Sequence, residues 1–385
     1  MNIEELKIPE CKKFSGYKPC ESYKNCLENG CQKDDDNNKM GVKILIISLD
    51  ALGNVIDNTP ILPALKRKHP ISTIYWLTMP NAEKILFNSK YIDKLYLWTD
   101  ESRMILRNMN FDFLLNGDKS VYACAFASEI KANKKYGFLL NSDGKIIPAN
   151  QNAMYCYLLG NNDELKFRKN KRTGIEILHE VFDLKYERDE CEYNFTEEER
   201  TFIEGYKKNI GYKNNKYYIG LNTGCSDLFP NKKMTVEQHI LLIKKLLKKK
   251  DIIIVLLGGR EDTERNKKIY STFTGEKKKR IINTPTTEGI RRGACYMEIP
   301  DVVISGDSFG LHLAIALKKF VISWYGLSCW TEIEDYGRGV KLIPEGLECA
   351  PCWKRVCPYD LECIKMINLD MMVDEVNNYI NKNQK

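Results

Sequence analysis

The chain has 385 residues and 43% hydrophobic content, enough to bury two cores, because single cores stop growing near ~250 residues. Its formal charge of +7 comes from 59 basic and 52 acidic residues scattered along the chain, a balance that suits an anionic ligand or an acidic membrane surface and argues against a nucleic-acid binder. The opening MNIEELKIPECKK has no apolar core and nowhere do ~18 apolar residues run uninterrupted, so neither a signal peptide nor a membrane span is expected and the compartment is read as cytoplasmic.

Residues 1–40 form a cysteine-rich segment in which Cys11, Cys20, Cys26 and Cys31 are separated by x8, x5 and x4. So few apolar residues leave little besides an ion to fold it, and a small metal knuckle is the expectation. Lending ligands to the C-terminal cysteines, or remaining flexible, are the alternatives.

From residue 42, VKILIISL reads as a strand buried on both faces of a parallel sheet. DALGN (50–54) reads as a turn, and TPILPALKRKH as a helix with Pro60 in its first turn. Further strands are predicted at 73–77, 94–98, 111–115 and 121–125, with a helix-compatible segment at 80–89. Alternating strands and helices indicate a doubly wound sheet. The charge-dense stretch 183–216 reads as a surface helix and connector, which places one domain at 41–210.

The second domain, 211–366, restarts the same grammar with YYIGLN (217–222), a helix capped by Thr235 and Gln238, IIIVLLGG (252–259), DVVIS (301–305) and FVISWYG (320–326). A final amphipathic helix occupies 367–385. Two such halves facing each other would create a cleft lined by strand C-termini. Within SGDSFGLHLAIAL (305–317), a strand end, a Gly-Asp-Ser turn and a helix start make an anion site suited to a diphosphate. The alternative is that Asp307 and Ser308 only cap the helix. His312 reads as a structural histidine.

Residues 347–363, LECAPCWKRVCPYDLEC, place Cys349, Cys352, Cys357 and Cys363 at C-x2-C-x4-C-x5-C spacing. In a reducing compartment clustered cysteines are better read as metal ligands than as bridges, so 345–364 is expected to hold a structural ion. Free thiols packed under Trp353 are the alternative. A catalytic thiol is disfavoured, since no histidine lies nearby in sequence. Cys124, Cys156, Cys191, Cys225, Cys295 and Cys329 stand alone and read as small buried hydrophobes.

The order LDALGN, NTGCSDLFPNKK, LLGGRED, GDSFGLHLAIAL, WYG and a cysteine-rich tail resembles glycosyltransferase family nine, the lipopolysaccharide heptosyltransferases, over roughly residues 42–366. The resemblance implies an α/β GT-B fold: two facing Rossmann-like doubly wound domains, here with a cysteine-rich N-terminal extension. It implies transfer of a heptose or related hexose from a nucleotide-diphosphate sugar, ADP-heptose-like, to a glycan, lipid-linked glycan or protein, with peripheral contact at the inner membrane face left open. Asp307, Ser308, Phe309 and Gly310 would hold the donor diphosphate and nucleoside, with Thr223 and Gly224 near the phosphates. Lys232 would neutralise the departing phosphate, and Glu261 and Asp262 would bond ribose hydroxyls. A helix N-terminus plus a lysine stabilise the leaving group without requiring a metal. Relatives that modify autotransporters carry a cysteine-ligated iron in a comparable region, so zinc and iron both stay open.

One departure stands out. Where the family's first motif commonly has an aspartate after its glycine, as the base for the acceptor hydroxyl, Gly53 is followed here by Asn54, which takes no proton. Asp50 has then taken over, or bond cleavage runs ahead of attack, or the chain only binds a nucleotide sugar.

Overall fold

The computed structural model describes residues 3–21, 25–29, 38–226 and 228–384, so Cys31 lies outside the described residues. The chain folds as two units, one comprising Met1–Asp50, Pro60–Leu158 and Glu176–Asp189, the other Ala51–Thr59, Leu159–Ile175 and Glu190–Lys385.

The first unit is built on strands β1 (Val42–Ile47), β2 (Ser72–Thr78), β3 (Lys94–Leu97), β4 (Asn110–Asn116), β5 (Lys131–Leu140) and β6 (Ile146–Pro148), in the order β3-β2-β1-β4-β5-β6. All neighbours are parallel except β5 and β6. The apolar run predicts its own place: Ile44, Leu45, Ile46 and Ile47 are buried at the centre of the sheet. Leu45 and Ile47 join Tyr75, Leu77, Leu106, Phe111 and Phe126 in one core.

Two expectations fail here. The segment 121–125, read as a strand, lies in a helix, Val121–Glu129, whose buried Ala123, Cys124, Phe126 and Ala127 recur at helical spacing while Val121 and Tyr122 face solvent. The strand comes next, as β5, whose lysines and asparagine disguise it. DALGN is no turn either, since helix α1 (Leu52–Asn58) begins immediately after Ala51.

The second unit carries β7 (Tyr217–Asn222), β8 (Ile252–Leu257), β9 (Ile281–Asn283), β10 (Val302–Gly306), β11 (Phe320–Trp324) and β12 (Gly339–Leu342), ordered β12-β11-β10-β7-β8-β9. Its pairs are all parallel. The capping box forms as predicted, with Thr235 accepting from the Gln238 amide and Gln238 reaching back to the Thr235 amide. The Leu369–Lys382 helix lays Leu369, Met372, Val376 and Ile380 on this sheet's core.

Read outward from its first strand, each sheet has the 3-2-1-4-5-6 order of a Rossmann fold. The order reverses between β1 and β4 in one unit and between β7 and β10 in the other, and ligands of open α/β sheets bind at such points, beyond the strand carboxyl ends. No helix among the described residues is long and apolar enough to cross a membrane.

Candidate functional site

At the second unit's reversal point, β7 ends on Asn222 and β10 runs into Asp307, Ser308 and helix α2 (Phe309–Ala316). The Asn222 amide donates to Ser305 Oγ and Ser308 Oγ, both at 2.9 Å. Ser308 therefore holds the strand ends together instead of capping α2, whose first turn has no side-chain cap. Its free N–H groups and positive dipole end are open to an anion. Gly310 lets Asn222 approach, because a Cβ there would lie 2.6 Å from the Asn222 amide.

Lys232 closes the other side from the short Pro230–Lys232 turn, donating from Nζ to Asp307 Oδ2 at 2.7 Å. The ammonium also lies 4.4 Å from the Trp353 ring centroid and 5.3 Å from that of Phe229. Burial alone would raise the Asp307 carboxyl, but His312 and Lys232 hold it well below the usual carboxylate range. His312, one turn into α2, is not the isolated core histidine its apolar neighbours suggest. Its Nδ1 lies 2.9 Å from Asp57 Oδ1 and its Nε2 3.6 Å from Asp307 Oδ1. Burial would drive the proton off, yet Asp57 and Asp307 push His312 up to about 10, so it is an imidazolium at neutral pH. Lys232, Asp307, His312 and Asp57 thus form a row of alternating charge.

The remaining predicted donor residues line the neighbouring loops. Thr223 is buried, with Oγ1 2.5 Å from Asn266 Oδ1. Gly224 lies against the Asp262 carboxylate with no room for a side chain. Asp262 is turned inward, 4% exposed, and accepts from the Gly259 amide at 3.0 Å, with Lys233 Nζ 3.7 Å from its other oxygen. Burial raises its carboxyl against those two influences. Glu261 is the exposed member of the pair.

Of the two catalytic candidates, Asp50 belongs to the first unit, exposed, and accepts from the Tyr122 hydroxyl at 3.2 Å. Asn54 is exposed on α1, in the second unit. Sequence reasoning missed Asp57, Asn222 and Trp353. Asp57 becomes visible only once 52–58 is read as a helix, for it then shares a face with Asn54.

Cys349, Cys352, Cys357 and Cys363 are all partly buried free thiols, and burial together with the Cys352, Cys357 and Cys349 thiols pushes Cys363 up to about 11. They are neighbours, but among the described residues no group of three or more His, Cys, Asp or Glu side chains is arranged to hold an ion. That holds for Cys11 and Cys26, both partly buried, and for exposed Cys20 as well. The spacing expectation is therefore not met by the geometry as it stands. Among the lone cysteines, Cys124, Cys191, Cys295 and Cys329 are buried as expected, whereas Cys156 and Cys225 are only partly so.

Residues 102–362 match the family model of glycosyltransferase family 9 (heptosyltransferase). A curated relative, lipopolysaccharide heptosyltransferase 1 of Campylobacter coli, is 31% identical over 111 residues, which cover 26% of this chain and only 32% of that protein. Among solved structures, the fold is similar to a family 9 glycosyl transferase from Veillonella parvula, with a TM-score of 0.67 at 16% identity, covering 89% of this chain and 98% of that one. The E. coli ADP-heptose lipopolysaccharide heptosyltransferase II gives a TM-score of 0.66 at 15% identity, covering 89% and 99%.

Proposed function

This chain belongs to glycosyltransferase family 9 (heptosyltransferase), and from that premise we propose that it is an enzyme moving a heptose or related hexose from a nucleotide-diphosphate sugar to a hydroxyl of a glycan, lipid-linked glycan or protein. The observation that carries this reading is the uncapped start of α2 beside Lys232 at the second sheet's reversal point. Departure of a nucleoside diphosphate develops negative charge, which an ammonium and free helix amides stabilise without reorganising. ADP-heptose is the proposed donor, supported by the name of the E. coli structural relative.

In this reading Asp307, Ser308, Phe309 and Gly310 hold the diphosphate and nucleoside, Thr223 and Gly224 shape the loop beneath it, and Glu261 meets the ribose while inward-turned Asp262 braces the loop through Gly259. Residues 211–366 supply the donor-binding domain and 41–210 the acceptor side, at the cytoplasmic face of the inner membrane. The C-terminal cysteines are structural: their C-x2-C spacing and mutual closeness support a zinc or iron ion on the four thiols, with no step of transfer passing through it.

A second reading, a nucleotide-sugar binder without turnover, is favoured by Asn54 alone. Calorimetry with ADP and measurement of ADP released from ADP-heptose separate the two. Lys232→Ala and Ser308→Ala are each expected to weaken ADP binding by about 1–3 kcal/mol, the scale of a lost charge-assisted hydrogen bond. Unchanged binding by both variants would remove the diphosphate from this site.

A further inference from the structure

We infer that Asp57 is the residue that takes the proton from the acceptor hydroxyl, with His312 fixing the direction of its carboxylate. The inference rests on the transferase reading above and supplies the group that Asn54 cannot. Asn54 and Asp57 are three residues apart on α1, so both project from one face of the helix. A base lost at the first position is therefore replaced one turn along, on the same element.

The contacts of Asp57 divide unequally between its two oxygens. Oδ1 accepts from His312 Nδ1 at 2.9 Å and lies 3.9 Å from the Cys191 thiol. Among the described residues no hydrogen bond is recorded to Oδ2. The side chain is 26% exposed, against 9% for His312. One oxygen is thus anchored and the other is open to a hydroxyl, the arrangement a carboxylate base requires. A charge pair made only for stability would have no need of the exposed, unoccupied oxygen.

The anchor is itself held in place. His312 Nε2 faces Asp307, and Asp307 accepts from Lys232. The group that receives the proton is joined through three ion pairs, by way of His312 and Asp307, to the lysine proposed for the leaving phosphate. Gly53 permits this closeness, because a Cβ at that position would lie 2.5 Å from His312 Cδ2. Asp50, the rival carboxylate, has a phenol as its recorded partner and belongs to the other unit.

In the transfer step the acceptor O–H bond breaks and its proton passes to Asp57 Oδ2. The oxygen's electron pair bonds to the anomeric carbon, and the bond from that carbon to the diphosphate breaks, its pair leaving on the nucleoside diphosphate. Asp57 then returns the proton to water. Asp57 is the catalytic residue in this scheme and His312 a positioning residue.

The test uses the full chain, ADP for binding, and ADP-heptose with water standing in for the acceptor. Asp57→Asn is expected to lower ADP release at least about 100-fold, the low end of what a general base contributes, while ADP affinity stays within about threefold. Asp57→Glu, which keeps the charge against His312 but shifts the carboxylate, is expected to fold normally and turn over more slowly. Release within about threefold of wild type in both variants, or affinity and turnover falling together, overturns the assignment to Asp57 alone. Wild-type protein that neither binds ADP nor cleaves ADP-heptose overturns the donor reading and this one with it.

Discussion

Trp353 lies over Lys232, with the ammonium 4.4 Å from the ring centroid. An aromatic side chain from the cysteine-rich segment thereby holds the lysine proposed for the donor phosphate. The segment invests in this contact: Trp353 adopts a left-handed backbone with φ of 51°, which costs a non-glycine residue of order 1 kcal/mol or more. The amides of Cys352 and Trp353 both donate to Leu327 O at 2.9 Å, fixing the ring's approach.

Trp353→Ala should therefore weaken ADP binding although the residue lies outside the nucleotide motifs. A partly desolvated cation–π contact is worth about 0.5–2 kcal/mol, so ADP affinity is expected to fall roughly 2- to 30-fold, with Trp353→Phe between. Calorimetry on both variants checks this, and wild-type affinity in Trp353→Ala would mean that Asp307 alone positions the lysine.

Gly53→Ala would place a methyl 2.5 Å from His312 Cδ2. Overpacking of this kind costs about 1–3 kcal/mol, and it presses on the pair that joins α1 to α2. The variant should melt at a lower temperature and lose turnover of ADP-heptose while still binding ADP. A melting temperature equal to wild type would show that α1 shifts freely.

His312 makes stability depend on pH. Its folded value of about 10 stands above the ordinary 6.5, so its contribution is fully present below about pH 6.5 and is lost as pH rises through about 10. Asp307 acts in the opposite direction, its contribution fading as acid enters the carboxylate range. His312→Gln should cost about 3–5 kcal/mol near neutrality, because buried Asp307 and half-buried Asp57 lose their shared partner. Urea unfolding of wild type and variant at pH 6, 8 and 10 should show the gap narrowing toward alkaline pH. A gap independent of pH would show that His312 is neutral in the fold.

For the C-terminal cysteines, the metal proposal expects about one zinc or iron per chain from that cluster and a lower melting temperature in Cys352→Ser. Elemental analysis of protein purified without a metal-binding tag decides it. No ion, with Cys349, Cys352, Cys357 and Cys363 all titrating in the native state, would leave Leu327, Trp353 and Lys232 as what orders the segment.

The sheet centres were legible because a strand buried on both faces is almost wholly apolar, as IIIVLL is and as VKILII is apart from Lys43 near its start. β5 was not, since KANKKYGFLL lies toward the sheet edge with Lys131 and Lys134 in solvent and Lys135 donating to the Ala127 and Ser128 carbonyls. Asp307, Ser308 and Lys232 could be read from a strand-turn-helix pattern that local geometry dictates. Asp57, Asn222 and Trp353 could not. Each gains its meaning from a partner distant in sequence, Asp57 from His312, Asn222 from Ser308 and Trp353 from Lys232. The inward turn of Asp262 was equally hidden, because Glu261 and Asp262 are interchangeable until the backbone aims one at Gly259.

The assignment of Ala51–Thr59 to the same unit as Glu190–Lys385 bears on how the chain is made. Asp57 and His312 are 255 residues apart, and at a synthesis rate of about 5–20 residues per second the helix bearing Asp57 waits roughly 10–50 s for its partner. Closing a loop of that length costs about 5 kcal/mol before any contact repays it. Throughout that interval α1, whose Gly53 and Asp57 meet His312 in the finished protein, has no α2 to pack against. The nascent chain should therefore depend on a holding chaperone until residue 312 has left the ribosome, and the second unit expressed alone from residue 190 should fold without the carboxylate that faces His312 Nδ1.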